Sequence, residues 1–224
     1  MTNKEETSVK LLNSFGPNPR MVRMFMLEKG IKLPFEEVDL FGAENRKEAY
    51  LSKNPAGGIP CLILDDGTPI AETAAICEYL EELNPTPALI GTNPKERAET
   101  RMMVRRVEMN VTEFIYNSFR FGPGIEIFKD RTRCLPEASD GLKNKALDGL
   151  VMIDKGLAGK KYLCGNRLTL ADLILYACVD FAPPAWFQMD PKLKNLHAWF
   201  DTMSKLPSAE KSLTSNWKDL GMRG

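Results

Sequence analysis

Short apolar runs alternate with a helical pattern at the start of the chain. Residues 9–13 and 35–40 are apolar runs of strand length, and between them the apolar positions of 19–29 recur at helical spacing before Gly30 ends the helix. A strand, a helix and a second strand within about thirty residues form a βαβ unit. The two strands are therefore predicted to be parallel and joined by a right-handed crossover.

The following segment adds a helix, a hairpin and another helix. The polar segment 43–52 is predicted to be helical, whereas residues 61–64 form a short apolar strand. Asp66-Gly67 is a hairpin signal that returns the chain into a partner strand at 68–70. A helix follows over 73–83, and Thr73 can cap its start. The order β-α-β-α-β-β-α is that of a thioredoxin-like domain.

The pattern becomes helical beyond a proline-rich linker. The segment Asn84-Pro85-Thr86-Pro87 cannot continue the preceding helix, because it contains two prolines. Asn93 followed by Pro94 and Glu96 then has the residues of a helix N-terminus and opens a long helix through about Phe119. We divide the chain into a domain at 8–83, a linker at 84–92 and a helical domain at 93–224.

Two further amphipathic patterns predict helices over about 140–158 and 192–204. Between them, Thr169 is followed three residues later by Asp172, which is the spacing of a capping box at the start of a core helix. The predicted fold class is therefore an α/β thioredoxin-like N-terminal domain followed by an all-α helical-bundle C-terminal domain.

The composition of the chain argues against several classes of partner. The chain has 30 basic and 30 acidic side chains, and no apolar run approaches the roughly eighteen residues of a membrane span. We therefore expect no nucleic-acid partner and no membrane partner. The five cysteines form no C-x-x-C pair, and the one histidine, His197, cannot build a His-based metal site. We expect no metal, and a reducing, cytoplasmic location.

The stretch from Asn54 to Leu83 resembles a known family. It reads Asn54-Pro-Ala-Gly-Gly-Ile-Pro60 before the hairpin and Glu72-Thr73 at the following helix. This combination is similar to the glutathione-binding half of the soluble glutathione transferases. The resemblance implies a cis Ile59–Pro60 bond, glutathione as co-substrate and a homodimer. The loop Pro17-Asn18-Pro19-Arg20 resembles that of bacterial members.

The resemblance also implies residues that bind glutathione. It assigns the main chain of Ile59 to the cysteinyl backbone of the tripeptide, and it assigns Glu72 and Thr73 to the γ-glutamyl amine and carboxylate. Relatives place Gln or Lys where this chain has Gly58, so the usual contact with the glycyl carboxylate is absent, and a nearby lysine is a candidate substitute. The glutathione-binding candidates are Ile59, Pro60, Glu72, Thr73, Lys53 and Lys47.

Conjugation requires the thiol of glutathione as its thiolate, since only the thiolate attacks. The first tyrosine is Tyr50 and no cysteine precedes Cys61, which excludes the tyrosine-type and cysteine-type relatives. The Ser14 hydroxyl and the Asn18 amide remain as catalytic candidates. We favour Asn18, because an amide beside the N–H groups of the first helical turn lets the helix dipole and a hydrogen bond act on the same sulfur.

The electrophile is expected to bind between the two domains. Its candidate pocket residues are Phe15, Met109, Glu113, Tyr116 and Arg120. The leading hypothesis is a glutathione transferase that conjugates glutathione to an electrophilic small molecule. The alternative is a transferase-like binding or regulatory protein with little catalysis, because a fold does not guarantee an activity.

Overall fold

Four short strands form a sheet in the N-terminal half of the chain. The computed structural model describes residues 9–183 and 186–224, and the frayed tail that we expect at residues 1–7 lies outside this range. β1 and β2 are parallel, as the βαβ pattern predicts, whereas β3 is antiparallel to both of its neighbours. The strands are β1 (Lys10–Asn13), β2 (Phe35–Glu37), β3 (Cys61–Ile63) and β4 (Pro69–Ala71), in the spatial order β2-β1-β3-β4.

Three helices accompany this sheet, namely α1 (Pro17–Lys29), α2 (Glu48–Leu51) and α3 (Thr73–Leu83). α1 begins at Pro17 rather than at Pro19, and it ends as predicted at Gly30, whose φ of 66° is typical of a helix C-terminus. The helix predicted over 43–52 is interrupted, because Lys47 is extended between a 3-10 turn at Glu44–Arg46 and α2.

The second half of the described chain is helical. α4 begins as predicted, since the side-chain oxygen of Asn93 accepts a hydrogen bond from the N–H of Glu96 at 3.0 Å. No helix in the part of the chain that the structure describes combines the length and apolar character needed to cross a membrane. The helices are α4 (Pro94–Val107), α5 (Glu113–Phe121), α6 (Ile125–Phe128), α7 (Ser139–Leu157), α8 (Leu170–Phe181), α9 (Lys194–Ser204), α10 (Pro207–Lys211) and α11 (Trp217–Leu220).

α8 is the central helix of this half, and all of its residues except Asp180 are buried. At its start, the carboxylate of Asp172 accepts hydrogen bonds from the N–H and the hydroxyl of Thr169 at 2.9 and 2.8 Å, as the capping-box pattern predicts. The same carboxylate accepts from the N–H of Leu163 at 2.8 Å and from the Trp199 indole at 2.9 Å. Burial raises the pKa of Asp172, and these four donors oppose that effect.

The start of α1 is fixed by a buried arginine. The guanidinium of Arg20 is fully buried and forms an ion pair with Asp180 of α8 at 2.7 Å. It also donates hydrogen bonds to the Ala209 carbonyl at 2.8 Å and to the Ser212 hydroxyl at 3.2 Å. Arg223 pairs with the same carboxylate of Asp180 at 2.8 Å. One charge network therefore joins α1 to α8 and to the last helices of the chain.

The end of α1 is fixed by a buried lysine. Lys29 Nζ lies 2.5 Å from the Glu81 carboxylate of α3 and donates to the Pro87 carbonyl at 2.6 Å. Glu81 also accepts hydrogen bonds from the N–H groups of Leu89 and Ile90, at 3.2 and 2.8 Å. The segment between the two domains is thereby attached to both α1 and α3.

A π turn interrupts the long helix that the sequence predicts. The chain remains helical from α4 through a π-helical segment at Glu108–Thr112 into α5, and it ends at Phe121. A π turn contains one more residue than an α-helical turn, so a carbonyl is displaced from the regular pattern. Gly149 of α7 lies against this bulge, because a Cβ added there would be 2.0 Å from the carbonyl oxygen of Asn110.

Gly149→Ala should destabilise the protein, although Ala is the better helix former by about 1 kcal/mol. The added Cβ would overlap the Asn110 carbonyl oxygen, so the backbone of one helix must move. We expect denaturant unfolding to show a loss of about 1–3 kcal/mol, the usual effect of overpacking. Gly156→Ala in the same helix is the control, because nothing lies within 4 Å of its added Cβ. A gain in stability for Gly149→Ala would contradict the close approach.

Candidate functional site

A cavity of about 170 Å³ lies where the two domains meet. The N-terminal domain contributes the start of α1 and the loops on either side of α2, and the helical domain contributes α5, α6 and the end of α8. Five residues that the sequence analysis proposes line this cavity, namely Phe15, Asn18, Ile59, Tyr116 and Arg120. The aromatic residues Phe41, Phe119, Phe128, Phe181 and Trp186 also line it, and no sequence motif marks them.

The first turn of α1 offers few backbone donors, because Pro17 and Pro19 have no N–H group. The N–H of Arg20 already donates to the Gly16 carbonyl at 3.1 Å. Asn18 therefore supplies the one free N–H among the first four positions of this helix, and it also carries a side-chain amide. The sequence predicts an amide beside the N–H groups of this turn, and the two prolines reduce those groups to the N–H of Asn18.

The side chain of Asn18 is oriented by a tyrosine from the helical domain. The hydroxyl of Tyr116 donates a hydrogen bond to the Asn18 side-chain oxygen at 3.0 Å. The amide NH₂ of Asn18 is thereby left for a ligand in the cavity that this residue lines. Burial raises the pKa of Tyr116 well above 10.0, and the adjacent thiol of Cys178 contributes to this shift. The phenol remains a donor at neutral pH.

Ser14 has a structural hydrogen bond. Its hydroxyl donates to the Val38 carbonyl at 2.7 Å, and its side chain is buried outside the cavity lining. The Ser14 carbonyl in turn accepts from Arg23, which also donates to the Asn13 side chain and to the Ser212 carbonyl. Burial lowers the pKa of Arg23 to about 10. Because a hydroxyl has one proton, this arrangement leaves Ser14 none to donate to a ligand.

The loop before β3 exposes the main chain of Ile59. The Gly58 carbonyl accepts hydrogen bonds from the Tyr50 hydroxyl at 2.6 Å and from the Asn54 amide at 2.8 Å. The Ile59–Pro60 bond is cis, as the family resemblance implies. Within the described residues, the N–H and C=O groups of Ile59 have no hydrogen-bond partner. Ile59 lines the cavity, whereas Pro60 does not.

Arg46 is a site residue that the sequence analysis misses. Its guanidinium lies along the same loop, where it donates to the Ala56 carbonyl at 3.2 Å. A Cβ on Gly57 would be 2.6 Å from this guanidinium, so the missing side chain makes room for it. Lys47 and Lys53, which the sequence analysis proposes here, are exposed and do not line the cavity. Nothing in the polar segment around Arg46 distinguishes it from its charged neighbours.

Glu72 lies at the start of α3 with a left-handed φ of 67°. Thr73 is the first helical residue and does not cap the helix, so the predicted cap is wrong. The backbone N–H groups of this first turn therefore have no side-chain acceptor. Neither residue lines the cavity.

The carboxylate of Glu108 interacts with that of Glu72. Burial raises the pKa of Glu108, and the negative charges of Glu113 and Glu72 add to this shift while Arg105 opposes it. Glu113 and Met109, which the sequence analysis assigns to the electrophile pocket, lie outside the cavity lining. Met109 is 52% exposed on the outer face of the long helix.

Two family models match the chain, one for the N-terminal domain of glutathione S-transferases over residues 15–83 and one for their C-terminal domain over residues 129–207. Glutathione S-transferase 2 of Saccharomyces cerevisiae is 33% identical over 205 residues, which are 88% of this chain and 86% of that protein. The chain belongs to the glutathione S-transferase family. The family resemblance of the stretch from Asn54 to Leu83 is thereby confirmed.

A solved structure and a second relative extend the comparison. The crystal structure of Gtt2 from Saccharomyces cerevisiae matches with a TM-score of 0.83 and 32% identity, covering 91% of this chain and 100% of that one. This match confirms the predicted fold class. Maleylacetoacetate isomerase of Pseudomonas aeruginosa is 42% identical over 173 residues, which are 74% of this chain and 79% of that protein.

Tyr116→Phe should weaken the dependence of stability on alkaline pH. Burial raises the pKa of this phenol in the folded protein above its ordinary value of 10.0. Its contribution to stability is therefore complete below about pH 10 and is lost as the pH rises. Above about pH 10 the unfolding free energy of the variant should fall less steeply, by up to about 1.4 kcal/mol per pH unit. Denaturant unfolding at a series of pH values measures this, and equal slopes would contradict burial of the phenol.

Proposed function

We propose that this member of the family binds glutathione along the N-terminal domain and conjugates its thiolate to an electrophile in the cavity. The observation that carries the proposal is the position of Asn18. This residue lines the cavity, carries a side-chain amide and supplies the one free N–H of the first turn of α1. Ile59 also lines this cavity, and its unpaired N–H and C=O groups are what a strand-like partner for a peptide ligand requires.

The start of α3 suits the γ-glutamyl end of glutathione. Its first turn has no side-chain cap, so its backbone N–H groups and the helix dipole can hold the ligand's carboxylate. The ligand's ammonium would pair with Glu72, and the carboxylate of Glu108, which interacts with that of Glu72, adds negative charge to this end of the site. The ammonium and the carboxylate of the γ-glutamyl group would thus each meet an opposite charge, the first at Glu72 and the second at the N–H groups of the first turn of α3.

The glycyl end of glutathione requires a cation, and we assign this role to Arg46 in place of Lys47 and Lys53. Arg46 lies along the 56–58 loop and lines the cavity, whereas Lys47 and Lys53 do not line it. Its planar guanidinium can bind a carboxylate through two parallel hydrogen bonds. Arg46 would thereby replace the side chain that relatives carry at the position of Gly58.

Glu72→Gln should weaken glutathione binding with little effect on the fold, because the substitution removes the charge and keeps the side-chain size. Losing a hydrogen bond to a charged group costs about 1.5–3 kcal/mol, which corresponds to a rise in Kd of roughly 10- to 100-fold. Titration calorimetry with glutathione measures this. Glu82→Gln, on the exposed surface of the same helix, is the control. An unchanged Kd for Glu72→Gln would remove this residue from the site.

Asn18→Ala should raise the thiol pKa of bound glutathione. Loss of one charge-assisted hydrogen bond corresponds to about one to two pKa units. Ser14→Ala is the matched control, because the Ser14 hydroxyl already donates to Val38 and its loss should affect stability alone. Ultraviolet titration of the bound thiolate compares both variants with the wild type. A raised pKa only in Ser14→Ala would establish the hydroxyl mechanism, and unchanged values in both variants would leave the backbone N–H of Asn18 as the main donor.

Turnover distinguishes conjugation from the other activities of the fold. With 1-chloro-2,4-dinitrobenzene, a transferase releases chloride and forms a stable glutathione adduct. A binding or regulatory protein would bind glutathione without forming the adduct. An isomerase that uses glutathione would convert its own substrate and return glutathione unchanged, and the Pseudomonas aeruginosa relative is named as an isomerase.

We further propose a homodimer that acts in the cytoplasm and resembles bacterial family members. Apolar side chains are exposed on α3 and along the long helix, with Leu83 62%, Met102 45% and Met109 52% accessible. Burial of these side chains in an interface would stabilise association. Analytical ultracentrifugation should therefore give twice the chain mass of 25.2 kDa at micromolar concentration. A mass equal to one chain would contradict the dimer.

A further inference from the structure

The cavity has aromatic walls and the size of a single ring. Ring centroids of Phe15 and Phe41 are 6.1 Å apart, and those of Phe15 and Phe181 are 5.8 Å apart. Phe119 continues the wall, 5.9 Å from Phe181 and 5.8 Å from Trp186. The volume of about 170 Å³ compares with the roughly 150 Å³ of a protein cavity that accommodates benzene. The aromatic side of this space can therefore accommodate a flat group of one ring, whereas the side lined by Ile59 and Arg46 is the one that we assign to glutathione.

The charge of the cavity lining is positive. Among the described residues that line it, Arg46 and Arg120 are charged and no carboxylate is present. Arg46 lies along the 56–58 loop, on the side that we assign to glutathione. Arg120 lies on α5 in the wall of the helical domain, among the aromatic rings. The cation that faces the electrophile is therefore Arg120.

Arg120 has no acidic partner among the described residues. Its guanidinium donates to the neutral Asn117 side chain at 3.2 Å and forms no ion pair with them. The guanidinium carbon lies 5.8 Å from the centre of the Tyr116 ring and 5.7 Å from that of Phe128. Two aromatic rings thus lie beside the guanidinium, and the N–H donors that Asn117 does not use are left for a ligand.

We propose that Arg120 makes the site selective for electrophiles in which one aromatic ring carries a carboxylate. The inference rests on the proposed transferase function and specifies the substrate class of that site. The ring would pack among Phe15, Phe119 and Phe181, and the carboxylate would accept two parallel hydrogen bonds from the guanidinium. A neutral aromatic electrophile would leave Arg120 without a counter-charge in an apolar cavity, which costs binding free energy.

The corresponding reaction is a substitution on the ring. The glutathione thiolate attacks the ring carbon that carries the leaving group and forms a C–S bond. The carbon–chlorine bond breaks, and chloride leaves with the bonding electron pair. The proton of the glutathione thiol has already gone to solvent, so the products are the thioether adduct and chloride.

The test compares 4-chloro-3-nitrobenzoate with its methyl ester, which differ in the negative charge. Adduct formation is followed at saturating glutathione for the wild type, Arg120→Gln and Arg120→Lys. In Arg120→Gln we expect kcat/KM to fall about 10- to 100-fold for the acid and less than about 3-fold for the ester, as loss of a hydrogen bond to a charged group implies. Arg120→Lys should recover part of the acid activity, because it keeps the charge and loses the planar fork.

Comparing proteins for one substrate cancels the different intrinsic reactivities of the acid and the ester. Arg106→Gln is the matched control, since Arg106 is exposed on α4 and does not line the cavity. It should leave both substrates unaffected. Equal effects of Arg120→Gln on acid and ester would overturn the inference. A raised glutathione Kd in Arg120→Gln would also overturn it, because it would assign Arg120 to the co-substrate.

Binding of unreactive ligands separates this inference from the proposed function. Calorimetry with 3-nitrobenzoate and methyl 3-nitrobenzoate, in the presence of glutathione, requires no turnover. A preference for the acid that disappears in Arg120→Gln would support charge recognition even if no adduct forms, and the proposed conjugation would then fail alone. No preference in the wild type would overturn the inference while leaving conjugation of neutral electrophiles intact.

Discussion

The buried guanidinium of Arg20 is the interaction on which the geometry of the site depends. An arginine without water must have its charge and donors satisfied by the protein, since burying an unpaired charge costs several kcal/mol. Here the partners are Asp180 and the segment around Ala209 and Ser212, all in the helical half of the chain. Arg20 lies two positions after Asn18 in the same helical turn. The contacts that satisfy the charge of Arg20 therefore also fix the position of Asn18, which lines the cavity.

α1 consequently belongs to both halves of the molecule. One end is attached to α8 through Arg20, and the other is attached to α3 and the linker through Lys29 and Glu81. Neither charge can move without losing its partners, so the helix is a rigid support for the cavity. The Tyr116 hydrogen bond to Asn18 then crosses between the halves at the site itself. The contacts that pack the two halves together therefore also orient the side-chain amide of Asn18, which we propose to be catalytic.

The sequence predicts those structural elements that depend on residues close together in the chain. The βαβ pattern, the helix start at Asn93 and the capping box at Asp172 depend on residues within a few positions of each other, and the structure confirms all three. The two pieces of the family motif likewise lie within one stretch of the chain, from Asn54 to Leu83. The cis bond before Pro60, which the motif implies, is present.

Features that depend on distant partners could not be predicted in this way. Ser14 reads as a free hydroxyl until the fold brings the Val38 carbonyl to it. The aromatic wall joins Phe41, Phe119 and Phe181 from three separate elements, each with an ordinary apolar role in its own segment. Arg46 becomes a site residue because the backbone of Gly57 passes close to it.

The π turn at Glu108–Thr112 has a consequence for comparing this chain with its relatives. Because a π turn contains one more residue than an α-helical turn, a relative with a regular helix here would have one residue fewer and would still present its later side chains in the same directions. An ungapped alignment with such a relative would pair Tyr116 and Arg120 with residues that are rotated by about 100° around the helix. A single gap at this point of an alignment therefore changes which side chains correspond across the cavity, even where the aligned letters agree.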